Sequence, residues 1–293
     1  MAAAQDIRSW ISAQAQSGQT PEQVIATLVA SGWTQAQALA AMQEFVALKE
    51  SPDQPVTFSS SVQAAANDES PAYPTVPVPE PSIAGQQTTV DTPDRRVDIV
   101  LTMALPRVVV FSNLLSHAEC DELMELAQAR LTRSQAVVNE TGASEIHEAR
   151  TSDGMFFRQA ENSLVARIEA RIAALVNWPV ERGEGLQILR YGIGHQYKPH
   201  WDYFDPAHAG TPTILRRGGQ RVASLVMYLN TPARGGATTF PDVGLAVAPV
   251  KGSGVFFSYD KPHPSTKSLH AGAPVEEGEK WVATKWLRER TFN

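Results

Sequence analysis

Short apolar runs alternate with turns rich in glycine and proline through the second half of the chain, and this pattern most constrains the fold. The runs cover residues 186–191, 221–229, 254–259 and 280–289. Runs of this length, bounded by such turns, are typical of strands in an antiparallel sandwich or barrel. We therefore predict a mainly β domain in this part of the chain.

Two amphipathic helices are predicted ahead of these strands. The first spans residues 116–130, with Ser116 as its cap and Glu119 three residues later. The second spans residues 163–176, where apolar side chains recur at spacings of three and four. Because each helix has one apolar face, we expect both helices to flank the sheet.

Residues 1–50 predict a separate small domain of three helices. A capping box runs from Thr20 to Gln23, with proline at the first helical position, and a second capping box covers residues 34–37. Three short helices with one apolar face each favour a small bundle. The segment resembles ubiquitin-associated-type helical modules, and we expect an accessory role without chemistry. The alternative hypothesis is a docking site for a protein partner.

Residues 51–94 have the composition of a linker. Eight prolines fall in this segment, which has few large apolar residues and no steady period. The stretch from residue 71 to residue 81 favours an extended polyproline II conformation. We therefore predict a proline-rich, disordered linker that separates the helical domain from a larger domain at residues 95–293.

Charge and composition disfavour several classes of partner. The net charge of −6 argues against general affinity for nucleic acid or for anionic membranes. No stretch approaches the roughly 20 apolar residues of a membrane span, and the first residues lack the apolar run of a secretory signal. The single cysteine, Cys120, fits a reducing compartment. We therefore expect a cytoplasmic protein that binds neither nucleic acid nor membrane.

The tripeptide His200-Trp201-Asp202 is the sharpest local feature of the chain. Residues two apart on a strand point to the same face, so His200 and Asp202 can bind one metal ion together. Two histidines and one carboxylate on one face of the metal are the ligand set of iron(II) dioxygenases. Alone, the tripeptide is weak evidence, because His-x-Asp occurs by chance in many chains.

The third ligand has three candidates. His270 stands ten residues before Lys280, and the Glu-Glu-Gly turn between them suggests a hairpin that brings both to one mouth. His263 lies in a rigid Pro-His-Pro loop without this offset, and His195 lies close to the first ligand pair. We favour His270, because Lys280 could then pair with the far carboxylate of an oxo acid.

Ordered motifs across residues 106–290 resemble those of the prolyl 4-hydroxylases, which are iron(II)- and 2-oxoglutarate-dependent dioxygenases. The resemblance includes the short bacterial and algal enzymes and the catalytic part of the collagen enzyme. It rests on residues 106–111, 150–152, 187–204, 218–222, 227–229, 235–241 and 270–290. It implies a double-stranded β-helix, or jelly roll, with flanking helices.

The resemblance also implies a role for each matching residue. The implied iron ligands are His200, Asp202 and His270. The residues implied to bind or line the 2-oxoglutarate pocket are Lys280, Tyr191, Thr238 and Trp286. The implied substrate-binding residues are Tyr197, Arg221, Arg150 and Ser152. Residues 150–157 correspond to a mobile loop that closes over a bound peptide. Lys285 is expected to be solvated or paired on the outer face of its strand.

The activity implied by the resemblance is hydroxylation of peptidyl proline at C4. The reaction uses Fe(2+), 2-oxoglutarate and O2 and releases succinate and CO2, while L-ascorbate keeps the iron reduced. The partner is a proline-containing peptide or protein, and the proline-rich linker could itself occupy the groove as substrate or plug. Hydroxylation of another peptidyl residue or of a small molecule is one alternative. A slow-turnover protein that senses oxygen or 2-oxoglutarate is another.

Overall fold

A computed structural model of the chain describes residues 20–30, 73–83, 87–137, 144–146 and 151–293. The chain divides into two compact units, residues 1–68 and 69–293.

The first unit contains the described helix α1, which spans Pro21–Ala30. Its predicted capping box is confirmed. The Gln23 amide donates to Thr20 Oγ1 at 3.4 Å, and the Thr20 amide donates to Gln23 Oε1 at 2.9 Å. The other two helices predicted for residues 1–50 lie outside the described residues.

The second unit is mainly β. Its strands are β1 (Thr89–Asp91), β2 (Arg96–Met103), β3 (Arg107–Ser112), β4 (Thr132–Arg133), β5 (Gln135–Val137), β6 (Ser144–Ile146), β7 (Asp153–Phe157), β8 (Leu186–Tyr191), β9 (Tyr197–His200), β10 (Arg221–Tyr228), β11 (Arg234–Gly235), β12 (Thr238–Phe240), β13 (Leu245–Val247), β14 (Gly254–Ser258), β15 (His270–Gly272), β16 (Val275–Glu277) and β17 (Lys280–Arg288). Its helices are α2 (His117–Gln128), α3 (Ser163–Leu175) and the short α4 (Thr211–Leu215). Single 3-10 turns cover Val180–Arg182, Pro241–Val243 and Pro264–Thr266.

The strands and helices predicted from apolar periodicity are confirmed. The predicted ends of α2, α3, β8, β10, β14 and β17 agree with the structure to within two residues. Ser116 caps α2 as predicted, since its side chain accepts from the Glu119 amide and Glu119 accepts in return from the Ser116 amide. Among the described residues, no helix combines the length and the apolar character that crossing a bilayer requires.

Two antiparallel sheets form the frame of the second unit. The larger has nine strands in the order β1-β2-β3-β14-β10-β17-β8-β7-β4, and the smaller has four in the order β13-β12-β15-β9. Tyr191 and Val282 from the larger sheet share a buried cluster with Phe240 and Val247 from the smaller, so the two sheets face each other. The prediction of a mainly β fold is confirmed, and this arrangement is consistent with a jelly roll.

The larger sheet has two faces with different partners. Because side chains alternate along a strand, β17 places Ala283 and Leu287 on one face and Val282 on the other. The first pair shares a core with Leu123 of α2 and Ile168 of α3, whereas Val282 belongs to the core between the sheets. We call these the helix face and the cavity face of the larger sheet.

The proline-rich segment is partly ordered, in contrast to the prediction of a disordered linker over residues 51–94. Residues 73–83 run extended along the second unit, where the Val76 amide donates to the Asp260 carbonyl at 2.8 Å and Pro79 is buried. Strand β1, also within the predicted linker, pairs with β2. The prediction is wrong for these stretches, because burial and hydrogen bonds to the larger unit offset the entropy lost on ordering.

The segment predicted as a mobile loop, residues 150–157, is largely a strand. β7 pairs with β4 on one side and with β8 on the other. Met155 and Phe157 are buried in the helix-face core, which explains why these residues are held in the sheet. Arg150 lies outside the described residues.

Candidate metal centre

Three candidate ligands meet at the edge of the smaller sheet. His200 ends β9, Asp202 follows two residues later, and His270 begins β15 directly opposite His200 in the strand register. His200 Nε2 lies 3.6 Å from Asp202 Oδ1, and His270 Nε2 lies 3.5 Å from Asp202 Oδ2. One ligand atom from each residue lies within 4.8 Å of the other two. The structure therefore brings together the three residues that the sequence predicted.

The two imidazoles are oriented by backbone carbonyls. His200 Nδ1 lies 2.8 Å from the Lys198 carbonyl, and His270 Nδ1 lies 3.0 Å from the Ser268 carbonyl. Because a carbonyl oxygen can only accept, each Nδ1 carries a proton and each Nε2 presents its lone pair to the centre. Burial, aided by His200, lowers the pKa of His270 to about 4, so this ring is a neutral donor.

The carboxylate between them is kept ionised. Burial by itself would raise the pKa of Asp202, but His270 and His200, with Arg221 behind them, hold it well below its usual range. Ser224 Oγ donates to Asp202 Oδ2 at 2.5 Å. Two imidazoles whose Nε2 atoms face the centre and one charged carboxylate fit iron(II), since the carboxylate partly offsets the charge of the metal.

The three ligands open into a cavity between the two sheets. The smaller sheet and the chain after β9 contribute Tyr197, His200, Asp202, Thr238, His270, Ala271 and Gly272. The larger sheet contributes Leu189, Tyr191, Val226, Lys280, Val282, Thr284 and Trp286. All four residues predicted for the 2-oxoglutarate pocket therefore line the same cavity as the ligands.

Lys280 is a buried cation on the cavity face. It is 4 % exposed, and burial lowers its pKa to about 8. Its ammonium lies 5.6 Å from the Tyr191 ring centre and 5.7 Å from that of Tyr228. Among the described residues, no carboxylate forms an ion pair with it. The site is thus suited to an anionic group entering from the cavity.

The hairpin predicted between His270 and Lys280 is wrong. β15 pairs with β9 and β12 in the smaller sheet, whereas β17 pairs with β8 and β10 in the larger one. Between them, β16 pairs with β11 instead. The two residues reach one cavity because the chain crosses from one sheet to the facing sheet, which a ten-residue offset does not reveal.

The three predicted substrate residues that the structure describes lie in three different environments. Tyr197 lies in the cavity, with its ring stacked on that of His200 at 3.6 Å between centres. Arg221 lies behind the wall, where its guanidinium sits 4.0 Å from the Trp286 ring. Ser152 is fully buried and donates to another serine hydroxyl, so it offers no surface to a peptide.

The rival histidines lie outside the ligand cluster. His263 Nδ1 accepts from the Ser265 amide at 3.1 Å and so caps a 3-10 turn. Neither His263 nor His195 joins the only potential metal-binding group found among the described residues. The proline-rich stretch at residues 73–83 contributes no side chain to the cavity wall, so in this structure it is not a plug.

Sequence reasoning missed several residues that support the site. Ser224 donates to Asp202, and Tyr228 donates to Thr238 Oγ1 at 2.8 Å. Glu184 accepts two hydrogen bonds from the Arg221 guanidinium. Local spacing does not reveal these contacts, because each residue lies on a different strand or turn from the group that it contacts.

Comparison with known proteins agrees with this geometry. The family model described as the 2OG-Fe(II) oxygenase superfamily matches residues 186–288, which include the three ligands and Lys280. Probable prolyl 4-hydroxylase 6 of Arabidopsis thaliana is 39 % identical over 208 residues, which cover 64 % of this chain and 70 % of that protein. The chain belongs to the prolyl 4-hydroxylase family. Membership confirms the predicted enzyme class, a dioxygenase that depends on iron(II) and 2-oxoglutarate.

Two further prolyl 4-hydroxylase relatives define the extent of the similarity. Probable prolyl 4-hydroxylase 7 of Arabidopsis thaliana is 38 % identical over 208 residues, and the match covers 64 % of either chain. The chain thus spans between 64 % and 70 % of the length of these two curated relatives. The viral collagen prolyl hydroxylase of Paramecium Bursaria Chlorella virus-1, solved as a 2OG complex, is 27 % identical with a TM-score of 0.47, over 62 % of this chain and 95 % of that chain.

Proposed function

We propose that this member of the prolyl 4-hydroxylase family hydroxylates peptidyl proline at C4, with release of succinate and CO2. The observation that carries the proposal is a single cavity that holds two histidines, one carboxylate and a buried lysine with no ion-pair partner among the residues that the structure describes. Bound iron(II) would supply the oxidising chemistry with O2 and 2-oxoglutarate. The side chains of the protein bind and orient the metal and the substrates, and they exclude water from the site.

In this proposal Lys280 binds the distal carboxylate of 2-oxoglutarate. An ammonium that is 4 % exposed and has no carboxylate partner among the described residues makes a strong charge-assisted contact with an entering anion. The Tyr191 hydroxyl assists it, which is supported by its position directly opposite Lys280 in the strand register. Thr238 also faces this pocket, and its hydroxyl proton remains free because its oxygen accepts from Tyr228.

The substrate proline lies against the aromatic side chains at the metal end of the cavity. Tyr197 and Trp286 both line the cavity, and flat rings suit the compact ring of proline. Arg221 acts from behind, because its guanidinium packs on the Trp286 ring and is fixed by Glu184. Arg150 is proposed as a further substrate contact from the sequence resemblance alone.

The remaining parts of the proposal concern the surroundings of the catalytic unit. L-ascorbate keeps the iron reduced between turnovers, and the protein works in the cytoplasm. Residues 1–50 are predicted to form a small helical domain with an accessory role, and the alternative proposal is that they dock a protein substrate and raise its effective concentration at the active site. The docking proposal predicts that removal of residues 1–68 raises KM for a full-length protein substrate and leaves KM for a short peptide unchanged. An unchanged KM on the full-length protein would refute docking.

Turnover of a proline-peptide library tests the main proposal. The enzyme with iron(II), 2-oxoglutarate, O2 and ascorbate should form succinate and add one oxygen atom to specific prolines. Chromatography against 4-hydroxyproline and 3-hydroxyproline standards assigns the position. His200→Ala is the control and should abolish both products, because it removes a metal ligand. Succinate without any hydroxylated proline in the library would reject peptidyl proline as the substrate class.

A further inference from the structure

The carboxylate ligand has its own hydrogen-bonded support. Ser224 on β10 and Tyr259 just after β14 are both buried on the cavity face, and neither lines the cavity. Ser224 Oγ lies 2.5 Å from Asp202 Oδ2 and 3.0 Å from Tyr259 Oη. Three buried polar groups, brought from separate parts of the chain, therefore form one short chain of hydrogen bonds that ends on the ligand.

The number of available protons decides which group donates in each of these hydrogen bonds. An ionised carboxylate can only accept, so the single proton of the Ser224 hydroxyl points to Asp202 Oδ2. The oxygen of Ser224 is then an acceptor, and the proton between the two hydroxyls must come from Tyr259 Oη. Tyr259 thus donates to Ser224, and Ser224 donates to Asp202.

The direction distinguishes the two carboxylate oxygens. Each oxygen of Asp202 faces one histidine, since Oδ1 lies 3.6 Å from His200 Nε2 and Oδ2 lies 3.5 Å from His270 Nε2. Among the described residues, Oδ2 alone also accepts a hydrogen bond from a hydroxyl, that of Ser224. A carboxylate with two equally free oxygens can bind a metal through both of them. A metal held by two histidines and one carboxylate oxygen keeps three positions open, which a chelating 2-oxo acid and O2 together require.

We propose that Ser224 and Tyr259 are positioning residues that keep Asp202 a ligand through one oxygen, and so keep a metal coordination position open for the 2-oxo acid. The inference rests on the iron and 2-oxoglutarate binding of the proposed function, but not on proline as the substrate. Both residues act through Asp202, since neither side chain lies on the cavity wall.

Anaerobic titrations of the full chain test the proposal without turnover. Ser224→Ala should raise the Kd for iron(II) by about 10- to 100-fold, as loss of a partner behind a metal ligand commonly does. At saturating iron(II), it should also raise the Kd for 2-oxoglutarate by about tenfold and weaken the visible charge-transfer absorption of the chelate. Tyr259→Phe removes the outer donor and should raise the Kd for iron(II) by about fivefold.

Two matched variants separate the hydrogen bond from packing. Ser224→Thr keeps the hydroxyl and should stay within about threefold of the wild-type Kd values. Ser253→Ala removes a buried hydroxyl that bonds the Val250 carbonyl in a turn, and it should leave both Kd values unchanged. Equal losses in Ser224→Ala and Ser224→Thr would overturn the proposal. So would weaker iron binding with an unchanged Kd for 2-oxoglutarate, because the open position would then not depend on Ser224.

These results are independent of the substrate. If wild-type protein binds iron(II) and 2-oxoglutarate but hydroxylates no proline peptide, the proposed function fails and the titrations of Ser224→Ala still decide the role of Ser224. If the titrations show no difference while prolines are hydroxylated, the positioning role fails and the proposed function stands.

Discussion

Lys280 and Lys285 lie on the same strand, β17, and have opposite surroundings. An odd spacing places them on opposite faces of the sheet, Lys280 on the cavity face and Lys285 on the helix face. Both are buried, with 4 % and 2 % of their surface exposed, and burial lowers the pKa of each. Lys285 meets Glu169 of α3 at 2.6 Å, whereas Lys280 has no carboxylate partner among the described residues.

The difference shows how to tell a structural cation from a binding cation when both are buried. The charge of Lys285 is compensated within the protein by Glu169 and by the Glu184 carbonyl. The charge of Lys280 has no carboxylate counterpart in the described part of the chain, and in the proposed function the anionic cosubstrate supplies one. An unpaired buried charge destabilises the folded protein. Binding of a ligand with the opposite charge offsets this cost, so such a charge is typical of a binding site.

The largest expected effect is on folding, at the helix face. Lys285→Met leaves the buried Glu169 carboxylate without its partner, so the free energy of unfolding should fall by about 3–5 kcal/mol. Urea denaturation without ligands measures it. The double variant Lys285→Met/Glu169→Gln is the control and should recover part of the loss. A single variant as stable as the wild type would remove the distinction between the two lysines.

The corresponding substitution at the cavity face, Lys280→Met, should weaken ligand binding and not folding. In the proposed function Lys280→Met removes the partner of the distal carboxylate, so the Kd for 2-oxoglutarate should rise by a factor of hundreds, roughly 3 kcal/mol. The free energy of unfolding without ligand should not fall, since a desolvated charge has been removed. Isothermal titration and urea denaturation provide the two measurements. A loss of stability with normal 2-oxoglutarate binding would reverse the assignment.

The stability of the ligand-free protein should depend on pH through Lys280. Its pKa is about 8 in the folded protein against 10.5 in the unfolded chain, so the unfolded chain binds more protons between these values. Stability should therefore rise as the pH increases from about 8 towards 10.5, by about 3 kcal/mol at most. Lys280→Met should lack this rise, and an identical pH profile in that variant would contradict the prediction.

Loss of the Lys280 proton should also weaken the binding of 2-oxoglutarate. Above a pH of about 8 the ammonium of Lys280 loses its proton, so the Kd for 2-oxoglutarate should increase with pH. Bound 2-oxoglutarate favours the charged form and shifts the onset to higher pH. Titrations in a pH series at saturating metal measure the shift, with Lys280→Met as the reference.

The smallest predicted effect separates two tyrosines that lie equally close to Lys280. Tyr191→Phe should raise the Kd for 2-oxoglutarate by about tenfold, the value of one hydrogen bond to a charged group. Tyr228→Phe should change it less, because the Tyr228 hydroxyl already donates to Thr238. Equal effects of the two variants would show that the rings, and not the Tyr191 hydroxyl, shape this end of the cavity.

Much of the site followed from local pattern. His200 and Asp202 share a face because they lie two residues apart in an extended chain, and this spacing needs no tertiary information. Apolar periodicity placed α2, α3 and the central strands to within two residues. The choice of His270 over His263 came from the offset to Lys280, and the structure groups His270 with His200 and Asp202 although the hairpin behind the choice is wrong.

Other features depended on contacts between distant residues. Residues 73–83 have the composition of a linker, yet the larger unit holds them through bonds such as that from Val76 to Asp260. Lys285, expected to be solvated or paired on the outer face, is almost fully buried against α3. Composition reports the tendency of a segment by itself, whereas order and burial depend on the surface that the rest of the chain presents to it.

The sequence by itself determined the types of candidate ligand and the face that His200 and Asp202 share, because spacing along a strand sets the direction of side chains. Only the tertiary structure decided that His270 and Lys280 reach one cavity from facing sheets and that Ser224 donates to the carboxylate. It also decided that Lys285 of β17 is paired, whereas Lys280 has no carboxylate partner within the described ranges. These outcomes depend on which strands and helices pack against each other, and that packing depends on contacts throughout the buried core.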